Sequence, residues 1–158
     1  GIPPRLRDQA LAAVWARSAL ASYQLGEWVR GQRLLAHAAD LDPVLTSGTQ
    51  VCRLLEDRAR QLLLDTGDAE RALEFLHLAV DNLPPGVRRP RGGARAILSR
   101  VYMAKTFLAH HLNDWETVDE TLWRGLRNNP LWLLNLGVLS IAVRTLRYRA
   151  SSHQAKTI

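Results

Sequence analysis

Few residues in this chain have the type and spacing to do chemistry. Asp40-Leu41-Asp42 has the spacing of two carboxylates that hold a divalent cation against a diphosphate. That chemistry needs a nucleotide-binding strand before the pair. Here the pair closes a helical run directly before Pro43, so it reads as a helix end. His110-His111 is the only adjacent histidine pair. Neighbours on a helix point about 100° apart, so the two do not make a paired metal site alone. His37, His77 and His153 fall in other segments, with no cysteine partner and no HExxH spacing. Cys52 has no motif around it and reads as a small core residue. Ser47, Ser99 and Ser140 lack the glycines of a nucleophile elbow. Arg91-Gly92-Gly93 lacks both the Lys-Ser/Thr and the preceding strand of a phosphate loop. The residues predict no catalytic centre, no metal site and no cofactor in this chain.

Charge offers a different chemistry. Arg88, Arg89, Arg91, Arg95 and Arg100 put five arginines into thirteen residues. At the start of a helix such a cluster could pin phosphates or lipid headgroups, and the same run also reads as a solvated loop. The net charge of +6 is uneven: residues 1–87 carry −2 and residues 88–158 carry +8. Asymmetry of this kind suits nucleic acid, anionic lipid or an acidic partner, or simply an Arg-rich surface in a chain with 19 Arg and 2 Lys. A single cysteine forbids an internal disulfide and fits a reducing, cytoplasmic setting. No apolar run approaches the roughly 18 residues of a membrane span; the longest, Leu131 to Val143, is broken by Asn135, Gly137 and Ser140. No stretch reads as a signal peptide. The chain opens Gly-Ile-Pro-Pro without a methionine and is expected to be a piece of a longer protein.

The elements that must position these residues repeat. Leu25-Gly26-Glu27-Trp28 and Leu112-Asn113-Asp114-Trp115 lie 87 residues apart, and each tryptophan is followed fifteen residues on by a proline, Pro43 and Pro130. Thr66-Gly67-Asp68-Ala69 is a third copy, with Pro84 placed after Gly67 as Pro43 is after Gly26. Gly26, Gly67 and Asn113 are expected to take the left-handed conformation that ends a helix. Glu27, Asp68 and Asp114 then stand at the next helix N-terminus, where negative charge is favoured. Leu35, Leu76 and Leu122 hold one buried register, while Ala36, Ala38, Ala72, Ala79 and Gly125 let helices approach. Four of the five tryptophans, Trp15, Trp28, Trp115, Trp123 and Trp132, fall at repeat-register or helix-packing positions and are expected in the core.

The spacing predicts helices over 6–25, 27–41, 48–65, 68–82, 93–112, 114–128 and 130–149, with no strand. The last, with Leu131, Leu134, Val138, Ile141 and Leu146 on one face, is expected to cap the stack, and residues 150–158 to fray. The segment Leu83 to Gly93, with three prolines and three glycines, is expected to be an exposed loop within a single domain over 1–158.

The frame of helix, Gly or Asn plus acid, helix, proline resembles the tetratricopeptide repeat, over residues 12–45, 53–86 and 99–132. It departs at Glu56, where an aromatic is usual, at Gly125, where alanine is usual, and in unit offsets of 41 and 46 residues. The resemblance implies an all-α superhelix of three helix pairs with a capping helix over 130–149. It also implies a concave groove lined by Arg17, Leu20, Tyr23 and Gln24, by Asp57, Arg58, Gln61 and Leu64, and by Arg100, Phe107, His110 and His111. That mixed lining suits a peptide or a neighbouring domain better than a nucleic acid. Residues 94–145, through Asp114-Trp115, Arg127-Asn-Asn-Pro130 and Asn135-Leu-Gly-Val-Leu-Ser-Ile141, are similar to the helical C-terminal extension of some bacterial family 2 glycosyltransferases. The resemblance implies that the sugar-transfer chemistry lies in an upstream domain. This chain would then be an accessory interaction or scaffold region, docked on its own catalytic domain or on an assembly partner at the inner face of the membrane. The rival expectation is a nucleic-acid or anionic-membrane binder using the basic C-terminal half: the cluster of Arg88, Arg89, Arg91, Arg95 and Arg100, and the last helix, made basic at its end by Arg144, Arg147 and Arg149.

Overall fold

The computed structural model describes residues 3–155, with side chains described through Ser151. Among these residues the chain is all-helical, without strands. The α-helices are α1 (Pro4–Gln24), α2 (Trp28–Leu41), α3 (Gly48–Thr66), α4 (Ala69–Asp81), α5 (Gly93–His111), α6 (Trp115–Asn128) and α7 (Leu136–Ala155), with 3-10 turns over Pro43–Thr46 and Pro130–Leu134. No helix among the described residues is long and apolar enough to cross a membrane. The chain divides into two compact units, Gly1–Ile97 and Leu98–Ile158.

In the first unit α1 lies along α2, and α4 packs on α3, α1 and α2. The α1–α2 contact is close because its residues are small: Ala12, Ala16 and Ala19 are buried on α1, and Gly31, Ala38 and Ala39 on α2. Tyr23 fills the space over Gly31, where an added Cβ would meet its ring at 2.9–3.0 Å. Its hydroxyl donates to the Asn82 carbonyl at 2.7 Å, fastening α1 to the end of α4. Leu55, Leu62, Phe75 and Leu76 complete the core between α3 and α4.

The second unit is built around a different core. Met103 and Ala109 of α5, Val118, Leu122 and Leu126 of α6, and Val138, Ile141 and Ala142 of α7 form one buried cluster. Phe107, Trp115, Trp123 and Trp132 pack against it from the side. Ser99 donates to the Gly125 carbonyl at 2.7 Å, and the Thr106 and Thr121 hydroxyls meet at 2.9 Å, so these three buried hydroxyls between α5 and α6 are partnered.

The repeated turn is the same object twice. After α1, Gly26 has φ +80°; after α5, Asn113 has φ +56°. The Glu27 amide donates to the Ser22 carbonyl at 2.9 Å, and the Asp114 amide to the Ala109 carbonyl at 3.0 Å, the six-residue closure of a helix by a left-handed residue. Asp42 and Asn129 then accept from Val44 and Leu131, each starting a 3-10 turn on its proline. The left-handed expectation also holds at Gly67, φ +67°.

Three expectations are corrected. The helix expected over 130–149 is broken at Asn135, whose side chain accepts from the Gly137 and Val138 amides and starts α7 afresh. α7 also runs on to Ala155 rather than fraying at 150; residues 156–158 lie outside the described residues. The segment after α4 is exposed only in part: Leu83, Pro84, Val87 and Pro90 are buried. Proline has no N–H, so its burial leaves no donor stranded. The Arg88 amide donates to the Thr46 carbonyl at 3.0 Å, and the backbone of Arg88 and Arg89 lies against Gly48.

Candidate interaction surfaces

Several of the side chains that could have done chemistry have local partners. Asp42 caps the 3-10 turn through its hydrogen bond from the Val44 amide at 3.1 Å, while Asp40 is exposed. The Asp42 carboxylate therefore serves a helix end. Cys52 is half-buried, and its thiol donates to Glu56 at 3.2 Å, one turn on. His37 meets Trp15 edge-on at 5.2 Å, and His110 meets Trp115 edge-on at 5.4 Å. The His110 and His111 rings are 6.2 Å apart. The side chain of His153 lies outside the described residues. Among the described residues no three of His, Cys, Asp and Glu gather in a metal-holding group.

The residues expected to line a groove have mixed fates. Arg17 and Gln61 are exposed, and Asp57 is exposed and paired with Arg60 at 3.4 Å. Gln24 and Arg58 are brought together, the guanidinium donating to the amide oxygen, so α1 and α3 share a polar contact. Leu64 is exposed. Tyr23 is a correction: it is 1 % exposed and belongs to the core, because Gly31 opposite leaves room for its ring. Burial pushes its phenol well above the ordinary tyrosine range. Leu20 is buried with it. On α5, Arg100 and His110 are half-buried and His111 is exposed, while Phe107 leans on the second core rather than facing solvent freely.

Arg88, Arg89, Arg91 and Arg95 are all exposed, and Arg89 donates to the Asp81 carbonyl at 3.3 Å. Buried Val87 and Pro90 anchor the loop that carries Arg88, Arg89 and Arg91, and Arg95 follows in the first turn of α5. Arg149 behaves differently. It pairs with Asp119 at 2.6 Å and lies over the Trp123 ring at 5.4 Å, while the Trp123 indole donates to the same Asp119 at 2.9 Å. This cluster ties α7 to α6, and the basic end of α7 is partly consumed by it.

The tryptophans are less buried than their register suggests. Trp15 and Trp28 are exposed, Trp28 by 44 %. Trp115, Trp123 and Trp132 are half-buried, and Trp115 is stacked on Tyr148 at 6.3 Å. Trp28 and Val29 line a shallow surface depression with Gly26, Glu27, Arg30 and Arg33. A second shallow depression runs along α7, lined by Leu136, Leu139, Ser140, Val143, Arg144 and Arg147. Sequence reading missed it, although α7 carries more apolar residues than one face can hold. Comparison with family models, with curated proteins and with solved structures finds no match for this chain.

Proposed function

We propose that this chain is a non-catalytic, tetratricopeptide-like interaction module, the C-terminal accessory region of a bacterial family 2 glycosyltransferase. The observation that carries the repeat reading is the turn reproduced 87 residues apart, with the same backbone hydrogen bonds, at Gly26 and at Asn113. A chain that builds one helix hairpin twice in one frame uses the economy of repeat proteins, whose business is to offer surface to partners. The open apolar depressions at Trp28 and along α7 support the same reading, since contiguous apolar surface on a folded chain marks a place of contact. The glycosyltransferase setting rests on the resemblance over residues 94–145 alone.

A titration of the chain against the nucleotide-sugar domain encoded upstream of it, at low and high salt, tests both parts. Saturable binding that survives salt is the expected result. An upstream frame without such a domain removes the glycosyltransferase setting. The exposed Arg88, Arg91 and Arg95 favour a second reading, an anionic-membrane or nucleic-acid binder. Binding to lipid or nucleic acid that collapses steeply with salt would favour it over the first.

A further inference from the structure

α7 carries apolar residues on two faces. One face is packed: Val138, Ile141, Ala142 and Thr145 are buried. The other is bare: Leu136, Leu139, Val143 and Leu146 are 81 %, 43 %, 43 % and 51 % exposed. Their spacing of three, four and three residues makes a single stripe along the helix. Leu136, Leu139 and Val143 share one open depression with Ser140, Arg144 and Arg147, so stripe and cations form one surface. The terminal helix of a repeat array ordinarily turns a polar face outward. α7 covers the second core with one face and keeps an apolar stripe on the other.

The rim of the stripe selects its occupant. Arg144 and Arg147 are exposed, and neither makes an ion pair among the described residues, whereas Arg149 is engaged by Asp119. Two copies of this face laid on each other would set these arginines against their own kind. A helix with an apolar stripe and acidic flanks would bury the leucines and pair the arginines together. We propose that this face of α7 receives an amphipathic helix of a partner protein, its leucine-type stripe flanked by glutamates or aspartates. The mode is helix on helix, with anchors at the spacing the stripe already has. It rests on the interaction-module reading and names the partner's chemistry.

The test uses the full chain and two labelled synthetic helices with one leucine stripe, one flanked by glutamates and one by lysines, followed by fluorescence anisotropy. The expected result is saturable binding of the glutamate helix, about tenfold or more tighter than the lysine helix. Val143→Glu should weaken it by at least about tenfold, and Arg144→Glu with Arg147→Glu should reverse the preference between the helices. Val143, Arg144 and Arg147 are exposed, so circular dichroism should show all variants folded. Equal binding of the two helices, or binding of neither, overturns the proposal. So does a dimer in sedimentation equilibrium that Val143→Glu abolishes, or binding to phosphatidylserine vesicles with no binding to either helix. If neither helix binds while the upstream domain still does, this site falls while the interaction-module reading stands.

Discussion

The α1–α2 hairpin and the α5–α6 hairpin have the same turn and different interiors. Both close on a left-handed residue, both put a tryptophan at the first position of the second helix, and both end in a capped 3-10 turn. Yet Trp28 stands exposed, while Trp115 is half-buried between His110 and Tyr148. At the position of His110 the first hairpin has Tyr23, which is driven into the core. The difference lies in what is laid against each hairpin. α7 reaches Trp115 through Tyr148, and the α1–α2 hairpin has instead an alanine-lined contact that admits one large ring over Gly31. A repeated turn therefore sets the path of the chain and leaves the packing open.

The strongest way to break the comparison is to empty the shared register. Leu35 and Leu122 occupy equivalent positions and are both buried. Leu122→Ala should cost about 2–5 kcal/mol and so should Leu35→Ala, each read by denaturant unfolding. Segment-resolved hydrogen exchange should then show whether the loss stays within its own unit. Next come the glycines. Gly31→Ala would press a methyl into the Tyr23 ring, which cannot swing aside, and should cost about 1–3 kcal/mol. Gly125→Ala has one contact under 3 Å, the flexible end of Met103 at 2.7 Å, with Tyr102 Cβ at an ordinary 3.4 Å. Its helix-propensity gain of about 1 kcal/mol should leave thermal stability nearly unchanged or raised.

Tyr23→Phe removes the hydrogen bond to Asn82 and should cost about 0.5–1.5 kcal/mol. It should also change the alkaline limb. The folded-state pKa of Tyr23 lies above its unfolded value of about 10, so its contribution is full below that pH and is lost as pH rises toward the folded value. The variant should lose less stability there, and an unchanged alkaline profile would contradict the burial assigned to this phenol. The smallest effect is at the caps. Asp114 accepts from the Thr117 amide at 3.1 Å, and hydrogen bonds from Thr117 hold its carboxyl below the usual range. Its contribution is present above the unfolded value and lost as pH falls through the folded one. Glu27, one methylene longer, makes no cap hydrogen bond and pairs with Arg30 instead. Asp114→Ala should therefore lower amide protection in the first turn of α6, and Glu27→Ala should leave α2 nearly untouched.

Most of the helical map was legible because its signals are local. Gly26, Gly67 and Asn113 ended helices, and Asp68 and Asp114 capped them, through contacts that span only a few residues. The second cap at Asn135 is the same kind of signal, hidden inside an apolar run that read as continuous helix. The surfaces were less legible. Tyr23 has the register of a groove residue, and only the glycine opposite makes it core. The loop after α4 has the composition of a solvated linker, and only its seat against Thr46 and Gly48 buries Val87 and Pro90.

By itself the sequence determined the all-α class, the turn frame and the helix ends, since capping and left-handed closure are settled by neighbours along the chain. Tertiary structure decided which apolar residues are spent inside and which are left bare. α7 shows why. Val138 and Leu139 differ by one position in sequence, and a rotation of about 100° puts one in the core and the other on the surface. Periodicity finds a stripe, but where two stripes exist only the packing of α7 against α6 says which is buried.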